Sequence, residues 1–208
     1  MQPASIRNLI AEAEELLTQS LNNNKFAVPA FLTSWVAWEA MRTRLIRVIM
    51  HHKGYKIKDA DYLLAKSKVA SMREAESVIV KLGICSPHHW PGKSGNHWKM
   101  LTSIEPLRHR LIHGFKMVEP ARINVATRLV IFLVINHEWL SEVPIVDAAR
   151  KKDRILVGSL LTPRRTGKKT HSAKIDELAV NIGVNLDQGT RRLPSLANLE
   201  EAAKRLSV

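Results

Sequence analysis

Between Glu105 and Met117 the chain reads EPLRHRLIHGFKM, and Arg108, His109, Arg110 and His113 crowd an otherwise apolar helical stretch that stops at Gly114. An imidazole changes charge near neutral pH, the range in which a general acid or base works best. A guanidinium is a permanent cation whose planar fork of donors matches a phosphate. Together the two groups form a minimal kit for cleaving RNA without a metal. The histidine moves protons on or off the ribose hydroxyl or the leaving oxygen, and the arginine holds the phosphate as charge builds on it. Five helical steps of ~100° set Arg108 and His113 about 140° apart, so an ideal helix does not stack them. A long arginine, a kink at Pro106 and fraying at Gly114 are what could bring both to one edge. His109 and His113, at i and i+4, share a face. The plainer reading is a basic, solvated helix end with a histidine at its C-terminus, stabilised by ~0.3–1 kcal/mol through the helix dipole.

Other residues invite similar weighing. His109 and His113 also have zinc-ligand spacing, but no acid or cysteine pattern accompanies them, so no metal is assigned. His88, His89 and Trp90 with His97 could stack bases, although a mixed polar and aromatic loop explains them as well. Trp35, Trp38 and Trp139 fall at core spacing. In PRRTGKKT, Arg164, Arg165, Lys168 and Lys169 form either a phosphate-contacting strip or a solvated linker. That segment lacks the earlier glycine and preceding strand of a P-loop, which excludes nucleotide hydrolysis there. Cys85 reads as a packed thiol rather than a nucleophile.

The elements that must position these groups are helical throughout. Ile6, Leu9, Ile10, Ala13, Leu16 and Leu17 form one stripe, with Glu12, Glu14 and Glu15 outside it. After the turn NNNKFAVP, a long helix carries Phe31, Trp35, Trp38, Met41, Leu45, Val48 and Ile49, with Gly54 as its cap. KDADYLLAKSKVA and SMREAESVIVKLG predict two shorter helices, the second opened by a Ser71–Glu74 capping box and closed at Gly83. The loop ICSPHHWPGKSG leads to NHWKMLTSIEPLRHRLIHG, in which Pro106 either kinks the helix or starts another. EPARINVATRLVIFLVINHEWLSEV predicts a last long helix, apolar nearly all round and therefore expected at the centre of a bundle. No alternating strand pattern of useful length occurs, so the expected class is all-α. SAKIDELAVNIG and SLANLEEAAKRL, opened by Ser172 and Ser195, predict two further helices. A faint echo links SVIVKLGI and WKMLTSIEPLRHR to ELAVNIGV and LANLEEAAKRLSV, a pattern that unrelated amphipathic helices also produce.

Composition narrows the partner. Of 208 residues, 32 are Lys or Arg against 19 Asp or Glu, a formal charge of +13, which favours a polyanion such as nucleic acid. The single cysteine excludes an intramolecular disulfide and fits a reducing compartment. The acidic, amphipathic IAEAEELLTQS is unlike a signal peptide, and RLVIFLVINHEWL falls short of the ~20 apolar residues that a bilayer requires. A cytoplasmic protein with no membrane partner is expected.

LRHRLIHGF resembles the Arg–x4–His motif of HEPN domains (higher eukaryotes and prokaryotes nucleotide-binding), usually Arg–Asn–x–Leu–x–His–Gly–Tyr. The apolar spacing from Trp98 to Leu107 and the earlier WVAWEAMRTRL are similar to that family too, and the resemblance covers roughly residues 5–142. It implies a helical bundle that dimerises through the helices flanking residues 96–113, so that two motifs share a cleft. It also implies a metal-independent RNase of a toxin or antiviral kind, with Arg108 and His113 as the catalytic pair. His109, Arg110 and Glu39 become auxiliary, Glu39 orienting a cleft arginine or remaining an ordinary surface acid. His109 stands where Asn is common, and Phe115 where toxins silenced by a nucleotidyltransferase carry a modified Tyr.

The expectation is therefore an all-α chain in three parts: a HEPN-like bundle at 1–146, a basic connector at 147–171 and a helical segment at 172–208. Its expected activity is metal-independent endoribonucleolysis by 2′-hydroxyl attack, without a cofactor. Its expected partners are RNA, a second copy and an antitoxin or other regulatory protein. The rivals are a non-catalytic HEPN-like module binding RNA or protein, and a helical DNA-binding regulator, the latter lacking a helix-turn-helix signal.

Overall fold

In the computed structural model, residues 5–66, 69–114, 117–143 and 175–186 are described. Among them every regular element is helical. Ser5 opens α1 (Ile6–Ser20), its side-chain oxygen accepting from the Asn8 amide, and Ile6, Ile10 and Ala13 are buried. A 3-10 turn leads into α2 (Ala27–His52), which spans about 39 Å at 1.5 Å per residue. Pro29 is tolerated because it falls in the first turn, where amides lack intrahelical partners. Gly54, at φ 91°, ends the helix, and the Tyr55 amide reaches back to the Met50 carbonyl.

Helices α3 (Ile57–Lys66) and α4 (Met72–Lys81) follow, and the Ser71–Glu74 capping box is formed in both directions. Helix α5 (Gly92–His113) begins earlier than its apolar pattern predicts, inside the stretch read as a loop. The reason lies at Gly95, whose absent Cβ would stand 2.6 Å from the Trp90 carbonyl oxygen. The first turn of α5 is thereby laid directly on the Pro87–Trp90 segment. The helix runs through Pro106 as one element and ends on Gly114, at φ 65°.

Helix α6 (Pro120–Ile135) is shorter than predicted. The Asn136 side chain donates to the Phe132 carbonyl, and His137–Glu142 continues as a 3-10 turn. That turn buries Trp139, whose indole donates to the Leu133 carbonyl. The centre of the bundle is α2, not α6: α2 packs against α1, α3, α4, α5 and α6. Apolar composition misplaced α6 because Val125, Phe132 and Ile135 on one of its faces are exposed. Helix α7 (Ile175–Ile182) packs on α4, burying Leu178, Ala179 and Ile182. The connector 147–171, the helix starts at Ser172 and Ser195, and Phe115 lie outside the described residues. No described helix is long and apolar enough to cross a membrane.

Four tryptophans tie the site-bearing helices together. Trp38 of α2 lies edge-on to Trp98 of α5 at 5.9 Å and 6.1 Å from Trp139, and Trp90 meets Trp98 at 5.3 Å. Alanine ordinarily outranks glycine inside a helix by about 1 kcal/mol. At position 95 the backbone clash reverses the sign, and Gly95→Ala should cost roughly 1–3 kcal/mol, the usual scale of overpacking. Urea denaturation checks this, a variant of equal or greater stability contradicting the close approach.

Candidate functional site

On α5 the buried stripe runs Trp98, Leu101, Ile104. Arg108 comes seven residues after Leu101 and four after Ile104, so it continues that stripe and aims toward α2 rather than solvent. There its Nη2 lies 3.3 Å from Oε1 of Glu39, with both side chains about three-tenths exposed or less. The same Glu39 oxygen accepts from the indole Nε1 of buried Trp35 at 3.1 Å, one turn earlier on α2. Glu39 is thus fixed from behind by a neutral donor and in front by a cation.

Behind this pair is a residue that the sequence reading passed over. Arg42 is buried, and its Nη2 donates to the carbonyls of Val69 (3.0 Å) and Ala70 (3.2 Å). Its Nε and Nη1 are buried without a hydrogen bond. Burial lowers the proton affinity of Arg42; Glu39, Glu105 and Glu74 act against this, and Arg108 adds to it. Three acids around two cations explain how a charged side chain persists there. The segment that Arg42 grips is held from two further sides. Glu74 accepts from the amides of Ala70 and Ser71, and Glu105 accepts from the Met72 amide at 2.7 Å. This segment and α5 wall a groove of about 430 Å³, lined by Ala70, Ser71, Glu105, Pro106, Arg108, His109 and Arg110. Its sequence signal was an arginine standing in the apolar register of Trp38, Leu45 and Ile49, where a surface cation does not belong.

Of the predicted site residues, Arg108, His109 and Arg110 line the groove together and Glu39 holds Arg108. His113 does not line it: it is exposed, and its ring lies 4.4 Å from that of His109. The ~140° offset expected from an unbroken helix is what the structure retains, because Pro106 does not divide α5. Arg164, Arg165, Lys168 and Lys169 lie outside the described residues. His88 pairs with Glu76 at 3.3 Å, His97 meets Trp139 edge-on at 5.4 Å, and Trp90 is buried. Among the described residues no group of three or more His, Cys, Asp or Glu side chains is arranged to hold a metal. Comparison with family models, with curated proteins and with solved structures returns no match.

Removing Arg42 leaves the Val69 and Ala70 carbonyls without their donor and one cation fewer near Glu39, Glu74 and Glu105. Arg42→Ala should therefore destabilise the fold by roughly 2–4 kcal/mol. Arg110→Ala, at an exposed position, should change stability by less than about 0.5 kcal/mol. Chemical denaturation of both variants checks the contrast, and equal effects would contradict the role given to Arg42.

Proposed function

We propose that this chain is a metal-independent endoribonuclease of HEPN type, acting as a homodimer in a toxin or antiviral role. The observation that carries the reading is the tethering of Arg108, through Glu39 to Trp35, at a groove whose helix ends in the His109–His113 pair. An arginine held this way is already positioned at the groove wall, so that little entropy is lost when a phosphate arrives. In the proposed reaction the ribose 2′-oxygen attacks the adjacent phosphorus while its proton passes to an imidazole. The bond to the 5′-oxygen breaks, and that oxygen leaves with a proton as a 5′-hydroxyl. Arg108 bears the charge on the phosphoryl oxygens. His113 is the proton-transfer group, and His109 supports it by ring contact. In the dimer that the family resemblance implies, two such helix ends share one cleft. His113 of one copy then need not serve Arg108 of the same copy.

One observation favours a binding-only module instead: His113 stands outside the groove that Arg108 lines. Turnover separates the two readings. Purified protein should cut RNA in EDTA, leaving a 2′,3′-cyclic phosphate and a 5′-hydroxyl, and should spare DNA. Arg108→Ala and His113→Ala should each lose on the order of 10²-fold or more in rate. His109→Asn should keep much of the activity. A 5′-phosphate product, or full activity in the His113 variant, would contradict the mechanism, and undiminished RNA affinity with no turnover in the wild type would favour the binding module.

A further inference from the structure

Helix α6 turns one row of side chains outward. Val125, Phe132 and Ile135 are each about half exposed, and Arg128 between them is exposed too. Single apolar residues on a surface are ordinary. These four follow one another at steps of three, four and three residues, the spacing of a coiled-coil seam. Ile123, Thr127, Val130 and Val134 hold the opposite face in the core, so a rotation of α6 that hid the row would expose them instead. The Ser20 hydroxyl lies 2.9 Å from the Asn124 side chain, and Leu21 beside it is exposed at the Val125 end of the row.

The row has the same spacing read from either end. About Val130, Val125 mirrors Ile135 and Arg128 mirrors Phe132. Two copies of α6 packed antiparallel about a two-fold axis at Val130 therefore set Val125 against the partner's Ile135 and Arg128 against the partner's Phe132. The first contact is apolar, and the second lays a guanidinium over an aromatic face. The charges match as well. Arg122 mirrors Glu138, and both are exposed, one in the first turn of α6 and the other just past its end. A parallel pairing would instead bring Arg128 against the partner's Arg128 and Arg122 against the partner's Arg122. Charge thus favours the antiparallel arrangement.

We propose that the outer face of α6 binds the same face of a second copy, antiparallel, with Arg128 of each chain over the partner's Phe132. This pairing sets the two Pro120 residues about 30 Å apart along the helices, so it is a surface separate from the cleft proposed above. It rests neither on RNA binding nor on cleavage. So short a row falls well below the ~20–30 residues a side of a standard interface, and the association is accordingly weak. Sedimentation equilibrium of the full chain should show mass rising between micromolar and millimolar concentration. Phe132→Glu, at an exposed position, should weaken that association about tenfold or more and leave the urea midpoint unchanged. Glu138→Arg should weaken it too, and adding Arg122→Glu should restore it, a rescue that misfolding does not produce. Cross-linking reads the register, in a Cys85→Ser background that removes the exposed native thiol. Val125→Cys and Ile135→Cys proteins, mixed and oxidised with copper phenanthroline, should form a mixed disulfide dimer. Either alone should form little, because its two thiols lie about 15 Å apart along the helices. Constant monomer mass, association indifferent to Phe132→Glu, or equal cross-linking in a single-cysteine protein overturns the proposal. Association that resists Phe132→Glu while RNA is cleaved overturns this surface and leaves the nuclease reading standing. Association lost in Phe132→Glu, with no cleavage by the wild type, supports this surface and overturns the nuclease.

Discussion

A carboxylate on one helix and a guanidinium on another meet only when the two helices hold a fixed spacing and rotation. The Glu39–Arg108 pair is that constraint here. Arg108 reaches α2 because it continues the buried register of Leu101 and Ile104, and α5 keeps that rotation because Trp98 is locked against Trp38 and Trp90. Glu39 follows Trp38 directly on α2, so the packing contact and the polar contact are set by adjacent residues. A rotation of α5 that relieved one would break the other. The aromatic cluster is thus part of the site although no tryptophan ring need touch a ligand.

The same arrangement places a buried cation behind the site. A guanidinium removed from water loses hydration that only paired charges and hydrogen bonds can offset. Arg42 recovers part of it from the Val69 and Ala70 carbonyls and from the field of three acids. In return it fixes the backbone that forms the far wall of the groove. An apolar residue of similar volume could fill that space, but it could not hold those carbonyls. This is a physical reason for an arginine at a position whose neighbours in register are Trp38, Leu45 and Ile49.

Much of the fold was legible where local chemistry is strong. The Ser71–Glu74 capping box and the stops at Gly54, Gly83 and Gly114 were readable from residue type, because each satisfies orphan backbone groups or takes positive φ at low cost. Where tertiary contacts decide, the sequence misled. The start of α5 depends on Gly95 approaching the Trp90 carbonyl, and the end of α6 on Trp139 turning back into the core. Hydrophobicity alone made α6 central, although its Val125–Phe132 face is exposed among the described residues. At the site, the spacing of Arg108 and His113 foretold their angular separation. Nothing local announced Glu105 as the acceptor for an amide on α4, since that contact spans 33 residues.

The central claim is that the Arg108 groove serves attack by the RNA's own 2′-hydroxyl. The most direct measurement removes that single oxygen. Once a cleavage position is mapped, the same RNA carrying one 2′-deoxy nucleotide immediately 5′ of the scissile phosphate should no longer be cut there, while cuts elsewhere in the strand persist. Continued cleavage at the deoxy position would contradict the account, because no nucleophile of the proposed kind would remain.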